Sequence, residues 1–223
     1  MHYSIIKDIF GLLEKFELEN KDNIYSSDIE GFKKWLCVKE SPQLKELDEP
    51  YWDGKENGRS PESVISTSLV HLNRYAKSYS KSAISDSGFA TQEDFIYLIT
   101  LKTFGEMTKM ELIKKNIHEK PAGILIINRL IKLRWVEQKE SETDKRKKVI
   151  NITDAGLTSL ENQMDKIRMA TNIVAGDLKH SEKMELIRIL DKLEKFHYPI
   201  FHRNIDSKKL IDIISTEYSF LKN

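Results

Sequence analysis

Apolar residues recur along this chain with helical spacing over most of its length, and switch to strand-like alternation in one short region. Residues 4–18 place Ile5, Ile6, Ile9, Leu12, Leu13 and Phe16 on one face, which predicts an amphipathic helix. A second, shorter helix is expected over residues 27–39, where Ile29, Phe32, Trp35 and Leu36 give a mixed face. Residues 40–60 hold Ser-Pro, Glu-Pro, Asp-Gly and Asn-Gly steps, so an irregular connection is expected there. Ser60-Pro61 then opens a long helix, because serine suits the N-cap and proline lacks only an N–H that had no partner. Its stripe of Val64, Leu69, Leu72, Tyr75, Ala76 and Tyr79 runs to about Ile84, and Ser87-Gly88 ends it.

Three helices are predicted next. Thr91-Gln92-Glu93-Asp94 opens the first, and Gly105 ends it. Thr108-Lys109-Met110-Glu111 is a capping box for a second helix ending near Asn116, in which hydroxyl and carboxylate satisfy each other's orphan backbone donors. Pro121 opens a third, with Ile124, Ile127, Leu130 and Leu133 as its apolar stripe. Helix, short helix, turn and helix over residues 91–134 make a helix-turn-helix pattern. Residues 135–138 and 148–152 alternate apolar and polar, as half-buried strands do, and the polar loop between them makes a hairpin. Thr153 is placed to cap a long helix with Leu157, Leu160, Met164, Ile167 and Ile173 inward. A further helix is expected over residues 181–197, stopped by Pro199, and a last short one over residues 207–221.

Composition narrows the class. Lys+Arg is 36 against 35 Asp+Glu, so any polyanion-binding field must be local. Residues 132–148 supply one, with seven basic against four acidic side chains, and the tip Lys145-Arg146-Lys147-Lys148 is wholly basic. The single cysteine, Cys37, rules out an internal disulfide and reads as a small buried hydrophobe on a helix rather than a redox sensor. The longest apolar run, residues 123–127, is far too short to span a bilayer, and no secretory leader is visible, so a soluble cytoplasmic protein is expected. His197 and His202 lack companion ligands for zinc. No glycine-rich phosphate loop, nucleophile elbow or acid–base pair stands out, so no catalysis, metal or cofactor is expected. Tyr75, Tyr79, His71 and Trp52 are candidates for a small-molecule pocket, though core packing is the default for most of them.

The run Asp144-x-Arg146, six residues, Thr153-x-x-Gly156 resembles the wing of the MarR family of winged-helix transcription regulators. Asn128-Arg129-Leu130 followed by Trp135-Val136-Glu137 is similar to that family's recognition-helix end and first wing strand. The resemblance covers residues 61–197 and implies a mainly α fold with a small β wing and long terminal dimerisation helices. It divides the chain into an N-terminal helical extension and connection, 1–59, a winged-helix domain, 60–198, and a C-terminal tail, 199–223. Within the domain the helix-turn-helix falls at about 108–134 and the wing at about 135–152.

The function this implies is a ligand-responsive dimeric repressor on a pseudo-palindromic duplex, recognition helices in major grooves and wings in minor grooves. Lys120, Ala122, Gly123, Ile124, Asn128, Lys132, Lys145, Arg146 and Lys147 are the candidate DNA contacts, with Arg146 entering the minor groove. Asp144 is expected to brace the wing base through an ion pair with Arg129, while Thr153 starts a helix and Gly156 permits close packing. Partners are then double-stranded DNA, a second copy of the chain and a small-molecule effector. The turn carrying Ala122, Gly123, Ile124 and Leu125 departs from the family pattern, since it offers no bidentate donor to a base. Base reading then rests on thymine-methyl contacts, or on His118, Lys120 and Asn128. The rival is a winged-helix protein-interaction module, with Ile124 and Leu125 as a sticky surface. Lys109, Lys114 and Lys115 are further candidates for phosphate contacts.

Overall fold

A computed structural model describes residues 3–20, 24–46, 50–141 and 144–218. The chain divides into two units, Met1–Ile65 and Ser66–Asn223, with the division inside one long helix.

The first unit holds α1 (Tyr3–Glu19) and α2 (Ile29–Glu46). Phe16, Phe32 and Trp35 form an aromatic knot with ring centroids 5.5–5.8 Å apart. Asn20 closes the turn between the helices, donating to the Tyr25 carbonyl at 2.7 Å and accepting from the Tyr25 N–H at 2.9 Å. The α2 helix runs through Ser41-Pro42 to Glu46, where a connection had been expected, and a single 3-10 turn spans Lys55–Asn57. A proline forfeits one backbone hydrogen bond, which a helix tolerates when the freed carbonyl has another partner. Cys37 is exposed, contrary to the buried role expected of it.

The second unit begins within α3 (Pro61–Ala83) and continues with α4 (Gln92–Phe104), α5 (Lys109–Lys115), α6 (Lys120–Lys132), β1 (Val136–Glu140), β2 (Lys148–Ile152), α7 (Asp154–Ala175), α8 (His180–His202) and α9 (Ser207–Glu217). Strands β1 and β2 pair antiparallel, from Val136 against Ile152 to Glu140 against Lys148. Met107, in the loop between α4 and α5, adds a third edge: its N–H donates to the Ile150 carbonyl and its carbonyl accepts from the Ile150 N–H at 2.8 Å. Hydrophobic burial assembles α4, α5, α6, the hairpin and α7 around Tyr97, Leu98, Leu101, Leu112, Ile113, Ile127, Leu130, Ile150 and Leu160, all 0–1% exposed. Each such aliphatic side chain is worth about 1.5–3 kcal/mol relative to exposure, so this is where the unit's stability concentrates.

Outside that core the long helices are bare. No residue of α8 is buried, and only Ala83 of α3 is. Met184, Leu186, Ile187, Ile189 and Leu190 on α8 are 41–57% exposed, and Tyr75 on α3 is 57% exposed rather than core. Ile173 and Leu133, expected inward, are also exposed. Pro199 does not stop α8; it lies inside the helix, which continues to His202. The carbonyl that proline leaves unpaired sits on an exposed turn, where water can take it. Beyond it, α9 folds back, with Arg203 donating twice to Glu217 at 2.5 and 2.7 Å and Tyr218 meeting the Phe196 ring edge-on. That bidentate pair holds the Glu217 carboxyl below its ordinary range. The end of the last predicted helix, residues 219–221, lies outside the described residues.

Candidate nucleic-acid interface

Helix α6 is presented by its neighbours rather than by its own propensity. Its buried side is Gly123, Ile126, Ile127 and Leu130. A Cβ on Gly123 would collide with the Ile113 side chain, so glycine is what lets α5 and α6 close on each other. Gly123, expected among the DNA contacts, is instead buried and packs against Ile113. Ile124 is half-buried against the core and likewise does not face outward. The exposed stripe is Pro121, Leu125, Asn128 and Lys132, with Lys120 and Ala122 beside its start. Their spacing of four, three and four residues is one helix face. Leu125, expected beside Ile124 only as part of a sticky surface and not among the candidate DNA contacts, is the outward one, at 69% exposed.

Before α6, His118 is held in place. Its Nδ1 lies 3.0 Å from the Tyr97 hydroxyl and its Nε2 3.6 Å from a Glu93 carboxylate oxygen. Tyr97 is wholly buried, and that burial, with the Glu93 charge beside it, pushes its pKa up to about 12. Through its Nδ1, His118 ties the turn into α6 to the buried Tyr97.

Arg129 anchors the other half of the helix. Its Nε donates to Asp94 Oδ1 at 2.9 Å, and its Nη2 donates to the same oxygen and to the Thr91 hydroxyl at 3.1 Å. The other Asp94 oxygen accepts the Ala90 and Thr91 N–H groups at 2.8 and 3.1 Å, capping α4. Asp94 is fully buried and Arg129 one-third exposed. The expected Arg129–Asp144 pair is thereby overturned: Arg129 is committed to a carboxylate 35 positions earlier. A guanidinium takes a buried carboxylate that already accepts two backbone donors in preference to a solvated one at a hairpin tip.

Asp144 shapes the tip instead. Its Oδ1 accepts from the Arg146 N–H at 3.1 Å, and its carbonyl accepts from the Lys147 N–H at 2.8 Å. This is the local turn chemistry that aspartate favours. Lys145, Arg146, Lys147 and Lys148 all project into solvent. Lys147 lies 3.8 Å from Asp144, whereas Lys120, Lys132, Lys145, Arg146 and Lys148 have no ion-pair partner among the described residues. Lys139, by contrast, is paired with Glu106 at 2.8 Å.

The wing's base is tied to α7. Thr153 donates its hydroxyl to the Arg134 carbonyl at 2.7 Å and accepts from the Gly156 N–H at 3.1 Å, capping the helix. The Trp135 carbonyl comes so close to Gly156 that any Cβ there would strike it. At the N-terminus of α5 the Glu111 N–H donates to the Thr108 hydroxyl at 3.2 Å and the Thr108 N–H to the Glu111 carboxylate at 2.7 Å, and the Thr108 donors on that carboxylate lower its pKa. Among the described residues there is no group of three metal-ligating side chains, and no helix is long and apolar enough to cross a membrane.

A helix-turn-helix with a basic β hairpin is a winged helix, and comparison with known proteins agrees. Residues 89–156 match the family described as a winged helix DNA-binding domain. No curated protein matches the sequence. Among solved structures, the fold is similar to BpsR of Bordetella bronchiseptica, whose DNA binding is regulated by 6-hydroxynicotinic acid, at 18% identity and a TM-score of 0.55 over 66% of this chain and 98% of that one. A probable transcriptional regulator from Pseudomonas aeruginosa matches at 19% identity and TM-score 0.54, over 60% and 99% of the two chains. A MarR variant from E. coli, solved with operator DNA, matches at 22% identity and TM-score 0.53, over 59% and 95%. At such identities the likeness concerns fold, and the fold is plain: this chain carries a winged helix of the kind that MarR-type regulators share.

Proposed function

We propose that the protein is a DNA-binding transcription regulator that works as a symmetric dimer, α6 entering the major groove and the β1–β2 hairpin the minor groove. The observation that carries this reading is the set of cations without an ion-pair partner among the described residues, Lys120, Lys132, Lys145, Arg146 and Lys148, held on two exposed elements of one core. Cations without protein partners are what phosphate neutralisation needs, and a guanidinium at a hairpin tip suits a narrow minor groove. Ala122, Asn128 and Lys147 complete the contact surface.

The dimer is supported by the uncovered apolar face of α8, with Ile187 and Leu190 lining an open groove against Leu69 of α3. Apolar surface on that scale is usually covered in the working assembly. A small-molecule effector is the natural regulator, as in the similar BpsR, and it acts by favouring one spacing of the two winged helices over another. The cytoplasm is the compartment this reading implies.

Selection from a random duplex pool with the full-length protein, alongside its sedimentation mass, tests the reading. An enriched inverted repeat and a two-chain mass are expected; a monomer that retains no duplex at low salt sinks it.

A further inference from the structure

Resting on the DNA-binding reading, we infer that the outward stripe of α6 reads an A·T step, Leu125 packing on a thymine 5-methyl group and Asn128 pairing with the neighbouring adenine.

Between Lys120 and Lys132 the exposed positions are Pro121 and Ala122 at the helix start, then Leu125 and Asn128, the one large aliphatic side chain and the one amide. Leu125 is 69% exposed, while the other large apolar residues of α6 are buried or half-buried, so its exposure is not shared by the helix as a whole. Asn128 is exposed too, and among the described residues no hydrogen bond holds its amide. In the major groove only thymine offers a methyl group, and an amide fits the adenine N6 and N7 edge bidentately. Guanine is read best by arginine, and the one arginine on this helix, Arg129, is spent on Asp94. Leu125 and Asn128 are three residues apart, a rise of about 4.5 Å, close to the roughly 3.4 Å between base pairs, so they address adjacent pairs.

The flanking charges decide between nucleic acid and protein as the occupant. Lys120 and Lys132 bracket the stripe at about 18 Å, and neither is paired among the described residues. A lone leucine between free lysines meets a groove walled by phosphates better than it meets an apolar protein surface.

The test uses the full-length protein and a duplex enriched from a random pool, compared with the same duplex carrying deoxyuridine for thymine, position by position. Uracil lacks only the methyl group. The wild-type protein should lose about fourfold in affinity at one half-site position, and Leu125→Ala should bind both duplexes equally. Asn128→Ala should relax selection at the adjacent adenine by about tenfold. Both side chains are exposed, so thermal melting of the variants should match the wild type. Equal binding of thymine and uracil duplexes by the wild type overturns the inference and leaves the regulator reading standing. An enriched half-site with G·C at these positions does the same. Retention of a protein partner with no duplex at low salt overturns both.

Discussion

Helix α6 and the wing tip are the two elements of the proposed DNA interface, and they are built by opposite means. Helix α6 is fixed by burial: Gly123 against Ile113, Ile127 and Leu130 in the core, and Arg129 on a carboxylate with no solvent exposure. The tip is held by local hydrogen bonds: the Arg146 and Lys147 N–H groups donate to Asp144, the Asp144 N–H to the Ser141 hydroxyl, and the Ser141 N–H to the Lys147 carbonyl. Helix α6 commits its arginine to staying in place and keeps only Lys120 and Lys132 unpaired among the described residues, whereas at the tip the arginine itself is unpaired among them. The lesson is that an arginine is a candidate DNA contact only if no buried partner claims it first. Arg129 is claimed by Asp94, whereas Arg146, 17 residues on, has no ion-pair partner among the described residues and stays a candidate.

The sharpest way to break this contrast is at Asp94. Asp94→Ala strands a half-buried guanidinium and two backbone donors, and should cost about 3 kcal/mol, lowering Tm by about 6–12 °C. Differential scanning calorimetry checks it, and a shift within error would mean the pair stabilises nothing. Arg146→Ala should behave in the reverse manner. Its Tm should stay put, while the slope of log affinity against log salt becomes shallower by about 0.9 for each wing that touches a phosphate. Fluorescence anisotropy across a salt series reads that slope, and an unchanged slope removes the wing tip from the interface. The smallest effect concerns Glu111 at the start of α5. Its pKa is lowered from 4.5 by the Thr108 hydrogen bonds, so its contribution is present above that value and is lost as pH falls through the lower folded-state value. The Tm gap between wild type and Glu111→Gln should therefore hold at neutral pH and close in acid below 4.5; a gap that widens in acid has the wrong sign for this cap.

Much of the fold was legible because it is written in local chemistry. Thr108 with Glu111, Thr153 with Gly156, and Asp144 with Arg146 lie two or three positions apart, and each pair folds within one turn of chain. Where the reading went astray, the deciding partner was distant or absent. The α6 helix is apolar on too many sides, at Ile124, Leu125, Ile126, Ile127, Leu130 and Ile131, for periodicity to say which side is buried. The stripe Pro121, Leu125, Asn128 and Lys132 was the available signal, since its polar members should have marked the outward face. Pro199 was read as a stop because an isolated helix suffers from it, yet an exposed turn of α8 accommodates it.

By itself, then, the sequence determined the winged-helix order of elements, the helix caps and the basic hairpin tip, because each depends on residues within a few positions of one another. The tertiary structure alone decided that Leu125 rather than Ile124 faces outward, that Arg129 belongs to Asp94, and that His118 braces a turn. Those outcomes depend on which groups compete for a buried carboxylate, a core position or a hydroxyl, and that competition exists only once distant segments are packed together.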